Sequence, residues 1–280
     1  NNYLITDVLR DTWNFEGHVL SDCWALEDFY NSPENGGHGV VDTQAEAAAL
    51  AVKSGVSLNC GSTYLEGLPE AVKQGLITVE EIDEQLAILL RTRFKLGLFD
   101  PKGSNPYDDI PTDVIDSDHH RNLTREVAQK SIVMLKNNGA LPLQKDLSRY
   151  FVTGPNASNT EVLLGNYYGV NPKMVTVLEG VAGAIHPGSQ LQYRKGALLD
   201  RESLNPQDWA SPNAGTSDAT IAVLGISNLL EGEEGAALAS ATAGDRLDYN
   251  LPQNQITYLR KLRDAAGERP IIALITGGSP

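Results

Sequence analysis

Gly17-His-Val-Leu-Ser-Asp-Cys23 reads as a short buried strand that delivers a carboxylate to its own end. Gly17 opens the run, His18, Val19 and Leu20 suit a strand, and Ser21-Asp22-Cys23 closes it where a chain leaving a parallel sheet enters a loop. In α/β architectures the chemistry lies outside the carboxyl ends of the strands, because loops there vary while the sheet holds them rigidly. Asp22 is therefore the first candidate for a reactive group. The plainer role for such an acid is to cap the turn that follows.

Outward from this stretch, residues 43–54 form an Ala-rich helical pattern closed by Gly55, and Val56-Ser-Leu-Asn-Cys60 reads as a second strand. Strand, helix and strand make one βαβ unit, with a long loop over 24–42 that holds Pro33 and Gly36-Gly37. Cys23 and Cys60 then stand at the same end of neighbouring strands, either as free buried thiols or as a pair. Upstream, 3–11 carries a helical pattern with Leu4, Val8 and Leu9 on one face. Because Asn1 opens almost directly into that pattern, the chain reads as part of something longer.

Downstream, helical patterns cover 68–74, stopped by Gly75, and 78–96, where Thr78 and Glu81 form a capping box and Ile82, Leu86, Leu89, Leu90 and Phe94 make an apolar stripe. The polar stretch from 100 to 116, with Pro101, Pro106 and Pro111, reads as a linker. A helix is expected over 118–136. His119 and His120 near its start lack a Cys or Glu at a spacing that would complete a metal site, so no metal is assigned. Strands are expected at 149–153, 191–194, 220–225 and 270–276, with helices over 175–185 and 253–266. This alternation predicts a second α/β domain with a largely parallel sheet, starting near Leu123 and unfinished at Pro280.

The chain has 280 residues, 41% of them hydrophobic, enough for a real core. Its formal net charge of −14 disfavours nucleic acid and anionic membrane as partners. No apolar run approaches the roughly 20 residues of a membrane span, and no signal-peptide pattern is present. A second acidic constellation, Glu231-Gly-Glu-Glu-Gly235, lies just past the strand at 220–225, with Gly244-Asp-Arg246 further on. A solvated acidic loop would look the same. Two acids from separate domains, each at a strand's carboxyl end, suit glycoside hydrolysis across a cleft, with one carboxylate attacking the anomeric carbon and one carboxylic acid protonating the departing oxygen. The Thr153-Gly-Pro turn hints at nucleotide binding, yet no Gly-x-Gly-x-x-Gly or Walker pattern follows it.

Gly17-His-Val-Leu-Ser-Asp-Cys23, Ser131-Ile-Val-Met-Leu-Lys-Asn-Asn-Gly-Ala-Leu-Pro-Leu143 and Glu231-Gly-Glu-Glu234 together resemble glycoside hydrolase family 3, along nearly the whole chain. The resemblance implies the C-terminal part of a (β/α)8 barrel followed by an α/β/α sandwich: strands seven and eight of the barrel over 1–99, a linker over 100–122 and the sandwich over 123–280. It places the nucleophile on Asp22 and the acid on Glu231, counted from the strand at 220–225, with Glu233 second and Glu234 also in competition. Cys23, Trp24, Cys60 and Arg246 would contact the sugar, and no cofactor is implied. Cys23, Asn59-Cys-Gly61 and Leu164-Gly-Asn-Tyr-Tyr-Gly169 look most like the β-xylosidase branch, acting on xylo-oligosaccharides; a β-glucosidase or a non-catalytic carbohydrate-binding relative is the alternative. A Cys23–Cys60 disulfide beside the sugar is expected, because end residues of adjacent strands about 4.8 Å apart fall within bonding range. A periplasmic or secreted location follows from it. The first six barrel strands are then lacking here, so the 280-residue piece alone is expected to be inactive.

Overall fold

In the computed structural model, which describes residues 2–165, 168–169, 171–232, 237–242, 244 and 246–277, the chain divides into two compact units, Asn1–Ser131 and Ile132–Pro280. The first unit is organised around the parallel approach of 19–21 to 57–60. Ser57 N and Leu58 N both donate to Val19 O (2.9 and 3.2 Å), and Ser21 N donates to Leu58 O (2.9 Å). The pairing is shallower than the sequence implies. It amounts to one bridge, Leu20 to Leu58, and Leu20 is 53% exposed rather than buried. A single bridge leaves the segment without the flanking ladder that would bury both of its faces.

The opening helix spans Tyr3–Thr12 with the wider π turn, and Arg10 at its end donates Nη1 to Phe15 O (2.7 Å) and Gly17 O (2.5 Å), fixing where the paired segment begins. Helix α1 (Gln44–Lys53) starts at a capping box between Thr43 and Glu46 and buries five alanines and Val52. Helix α2 spans Thr63–Lys73, starting well ahead of the expected position 68 and carrying Pro69 inside it. Tertiary contact overrides that local penalty: Thr63, Gly67 and Ala71 are buried, and a Cβ on Gly67 would meet Gln44 O at 2.8 Å. Helix α3 (Val79–Lys95) has the Thr78–Glu81 capping box, but of its apolar stripe Leu89 alone is buried, while Leu86 and Phe94 are exposed. Between α3 and α4 (Asp118–Ser131) the chain runs in turns with one short 3-10 helix, Thr112–Val114. Helix α4 stops at Ser131 instead of 136, where the β-branched pair Ile132-Val133 lowers helix propensity. It falls in the first unit, although the sequence boundary at 123 assigned most of it to the second.

The second unit is a four-stranded parallel sheet of β1 (Arg149–Thr153), β2 (Gln190–Arg194), β3 (Ala219–Gly225) and β4 (Ile271–Thr276), in the order β2-β1-β3-β4. Its strands match the expected runs closely. Successive side chains of a strand point to opposite faces, and both faces here are covered. Phe151, Ala222 and Leu224 pack with Tyr258, Leu262 and Ala266 of α6 (Gln253–Ala266). Val152, Ile221 and Val223 pack with Val177, Leu178 and Val181 of α5 (Val177–Ala184). Among the described residues no helix is long and apolar enough to cross a membrane.

One buried amide ties α6 to the end of β3. Gln255 is fully buried; its Oε1 accepts from Gly225 N (2.8 Å), and its Nε2 donates to Gly225 O (2.7 Å) and Leu199 O (2.7 Å). Removing it leaves Gly225 N and O without these partners away from water and frees the part-buried Leu199 O. Gln255→Ala is therefore expected to lower stability by about 3 kcal/mol in urea unfolding, and a loss under about 1 kcal/mol would contradict this role.

Candidate active site

Ser21 is the hub that shapes the candidate residues of the first unit. Its Oγ accepts from Cys60 N (3.0 Å) and from Asn59 Nδ2 (3.2 Å). Asn59 Oδ1 in turn accepts from Tyr64 N (3.2 Å) near the start of α2, and the Tyr64 hydroxyl donates to Val56 O (2.7 Å). Burial pushes the Tyr64 phenol above its ordinary value, so it stays a neutral donor. Neither Ser21 nor Asn59 was singled out from the sequence as a supporting residue, although both sit inside the quoted motifs. The signal was their short polar side chains at strand ends, where such groups bond to backbone.

This scaffold places Asp22 at the carboxyl end of the paired segment with its side chain exposed. Oδ1 accepts from Cys23 N (2.7 Å), so the acid caps its own turn and still presents a carboxylate at the surface. Cys23 and Cys60 form a disulfide, with Cα atoms 4.3 Å apart. Trp24 N donates to Cys60 O (2.7 Å). Trp24 itself has φ of +66° and is 60% exposed, an unusual backbone for so large a residue. Its indole lies over Gly61, where a Cβ would come within 3.2 Å of the ring, so glycine is needed at the close of Asn59-Cys-Gly61. Asp22, Cys23, Trp24 and Cys60 thus form one constellation.

The candidate residues of the second unit stand at the end of β3. The chain passes from β1 to β2 on one side and to β3 and β4 on the other, so the crevice beyond β1 and β3 is a topological switch point, where ligands of parallel sheets bind. After β3 the chain turns at 227–230, and Glu231 N donates to Ser227 O (3.2 Å). Glu231 lines a cavity of about 470 Å³ together with Leu163, Leu164, Ile226 and Asn228. Asn228 Oδ1 is buried there without a hydrogen-bond partner among the described residues, an acceptor that the sequence reading did not pick out. Glu233, Glu234 and Asp245 lie outside the described residues, as do Asn166 and Tyr167 of the Leu164–Gly169 motif. Arg246 is not part of this cavity lining. Its guanidinium donates to Asn250 O and pairs with Asp248 at 3.5 Å, closing its own loop.

The model of the glycosyl hydrolase family 3 N-terminal domain matches residues 1–92, and that of the family's C-terminal domain matches 132–280. This chain belongs to glycosyl hydrolase family 3. Curated relatives include an exo-1,4-beta-xylosidase from Aspergillus niger, 34% identical over 290 residues, covering 99% of this chain and 34% of the relative. One from Emericella nidulans is 31% identical over 280 residues, covering 99% and 32%. Family members of solved structure include an exo-beta-xylosidase in complex with a xylobiose aziridine activity-based probe, with a TM-score of 0.86 at 31% identity over 100% of this chain and 34% of that one. A beta-glucosidase from Erythrobacter marinus aligns with a TM-score of 0.78 at 28% identity, over 100% and 39%. The family 3 chain described here thus spans about a third of the length of the curated relatives it matches.

Non-reducing peptide mapping should recover Cys23 linked to Cys60. With a sequence separation of 37, loop closure implies that Cys60→Ser lowers stability by at most roughly 4 kcal/mol. Recovery of two free thiols from protein purified without reductant would contradict the pairing.

Proposed function

We propose that this chain carries the two catalytic carboxylates of a retaining, exo-acting β-xylosidase that releases xylose from the non-reducing ends of xylo-oligosaccharides. The observation that carries this reading is Asp22 held at a strand end by the Ser21 hub and the Cys23–Cys60 disulfide, in a chain 34% identical to an exo-1,4-beta-xylosidase over nearly its whole length. In this reading 17–22 and 56–60 are barrel strands seven and eight, and the second unit is an α/β/α sandwich. The disulfide favours an oxidising, periplasmic or secreted setting.

The chemistry is a double displacement. Asp22 attacks the anomeric carbon as the glycosidic C–O bond breaks, and Glu231 gives its proton to the leaving oxygen. Glu231 then takes a proton from water, which attacks the anomeric carbon and displaces the Asp22 ester, restoring both groups. Cys23, Trp24, Cys60 and Arg246 are assigned to the sugar, and Glu233 is the second choice for the acid. A β-glucosidase is the second reading, favoured by the likeness to the Erythrobacter marinus enzyme.

In the complete protein a slow fluorinated xyloside is expected to label the peptide holding Asp22, and label on another carboxylate would overturn the assignment. Glu231→Ala should slow substrates with poor leaving groups by about 10²–10⁴-fold while sparing the first step with activated aryl xylosides, and azide should restore turnover. If Glu233→Ala behaves this way instead, the acid is Glu233. Aryl xylosides should be turned over about 10–200-fold more efficiently than aryl glucosides, the discrimination expected from excluding one small group; the reverse order would favour the glucosidase reading.

A further inference from the structure

The second unit holds another cavity, of about 380 Å³, whose lining shares no described residue with that of the Glu231 cavity. That volume lies within the range of about 300–1,000 Å³ found for small-molecule sites. It opens at the carboxyl end of β2, and its wall is the segment from 194 to 210. Helix α6 contributes Asn254, Tyr258 and Lys261.

The wall is held in place from below. Gly196 has φ of +73°, and a Cβ there would fall 2.0 Å from the Tyr258 hydroxyl, so the loop lies directly on that side chain. Lys195 O accepts from Gly154 N (2.9 Å), and Asn254 Nδ2 donates to Leu198 O (2.8 Å) and Arg201 O (2.9 Å). Asn254 is only 7% exposed, and its Oδ1 is buried with no hydrogen-bond partner. At the rim, Trp209 is 69% exposed.

The charge of the lining runs against that of the chain. Arg194, Lys195, Arg201 and Lys261 contribute to it against Glu202 and Asp208, in a protein of net charge −14. Arg201 is paired with Asp200 at 3.0 Å. Burial opposes ionisation of Asp208, but the Ser211 hydroxyl, the backbone N–H groups of Ser211 and Ala210, and Lys261 hold its carboxyl below the usual range, so it stays an anion committed to its own turn. Arg194 and Lys195 form no salt bridge among the described residues.

We propose that this cavity is a second carbohydrate-binding site and that it takes a saccharide bearing a carboxylate. Trp209 supplies an aromatic face for a sugar ring, and Arg194 and Lys195 supply the cations for the carboxylate. The choice of a saccharide rests on the function proposed above, whereas the negative charge of the ligand rests on the cations alone.

The test uses the complete protein carrying Asp22→Asn, so that no probe is consumed, and calorimetric titration with xylotriose and with xylotriose bearing one glucuronic acid branch. The acidic probe should bind at least about 10-fold more tightly, with an affinity that falls as salt rises. Arg194→Gln with Lys195→Gln should abolish that preference, and Trp209→Ala should weaken the binding of both probes. These side chains are exposed, so the variants keep their fold. Equal affinity for the two probes, an acidic preference that survives the double substitution, or inorganic phosphate binding more tightly than the acidic probe would each overturn the proposal. Hydrolysis of an aryl xyloside, measured with Asp22 intact, is a separate readout. If the parent does not hydrolyse it but the acidic probe binds as described, the catalytic reading fails and this one stands.

Discussion

Register is the constraint on which the first unit depends. Leu20 stands opposite Leu58, with Ser57 N and Leu58 N on Val19 O and Ser21 N on Leu58 O. A slip of one residue would turn every side chain to the opposite face. Ser21 would then lose Cys60 N and Asn59, and Cys23 would no longer meet Cys60. A few hydrogen bonds between these two segments therefore specify where a carboxylate and a disulfide are found, and the disulfide holds that register for as long as it stays oxidised.

The second unit meets the same need by burial instead of covalent closure. Its sheet is covered on both faces, and the polar groups at the ends of its strands are satisfied by side chains such as Gln255, which closes both backbone positions of Gly225. A fully satisfied buried amide of this kind rigidifies its surroundings. The loops beyond the strands are then free to differ, and two of them line cavities of opposite character. One holds Glu231 and the Asn228 oxygen, unpartnered among the described residues, the other a cluster of basic groups beside Trp209.

The strands of the second unit were legible in the sequence because continuous apolar runs such as Ala222-Val-Leu224, ending at Gly225, leave few other readings. Helix α6 and the capping box at Thr78 were legible for the same local reason. What escaped depended on contacts distant in sequence. The early start of α2 rests on Gly67 meeting α1, the exposure of Leu20 on the extent of pairing, and the hub role of Ser21 on a partner 39 residues away. For the candidate site, Asp22 and Glu231 were legible as acids following strands; Asn59 left only the faint sign of a short polar side chain at a strand end, and Asn228, in a turn, left none.

The disulfide also closes the segment 24–59 into a ring. That ring contains the loop from Asn31 to Val41, much of it exposed, of the kind that proteases cut first. A nick there would open the ring into two arms still joined at Cys23–Cys60. Asp22, Trp24 and α1 would remain on one covalent assembly, so the molecule tolerates a cut that would split an uncrosslinked chain in two.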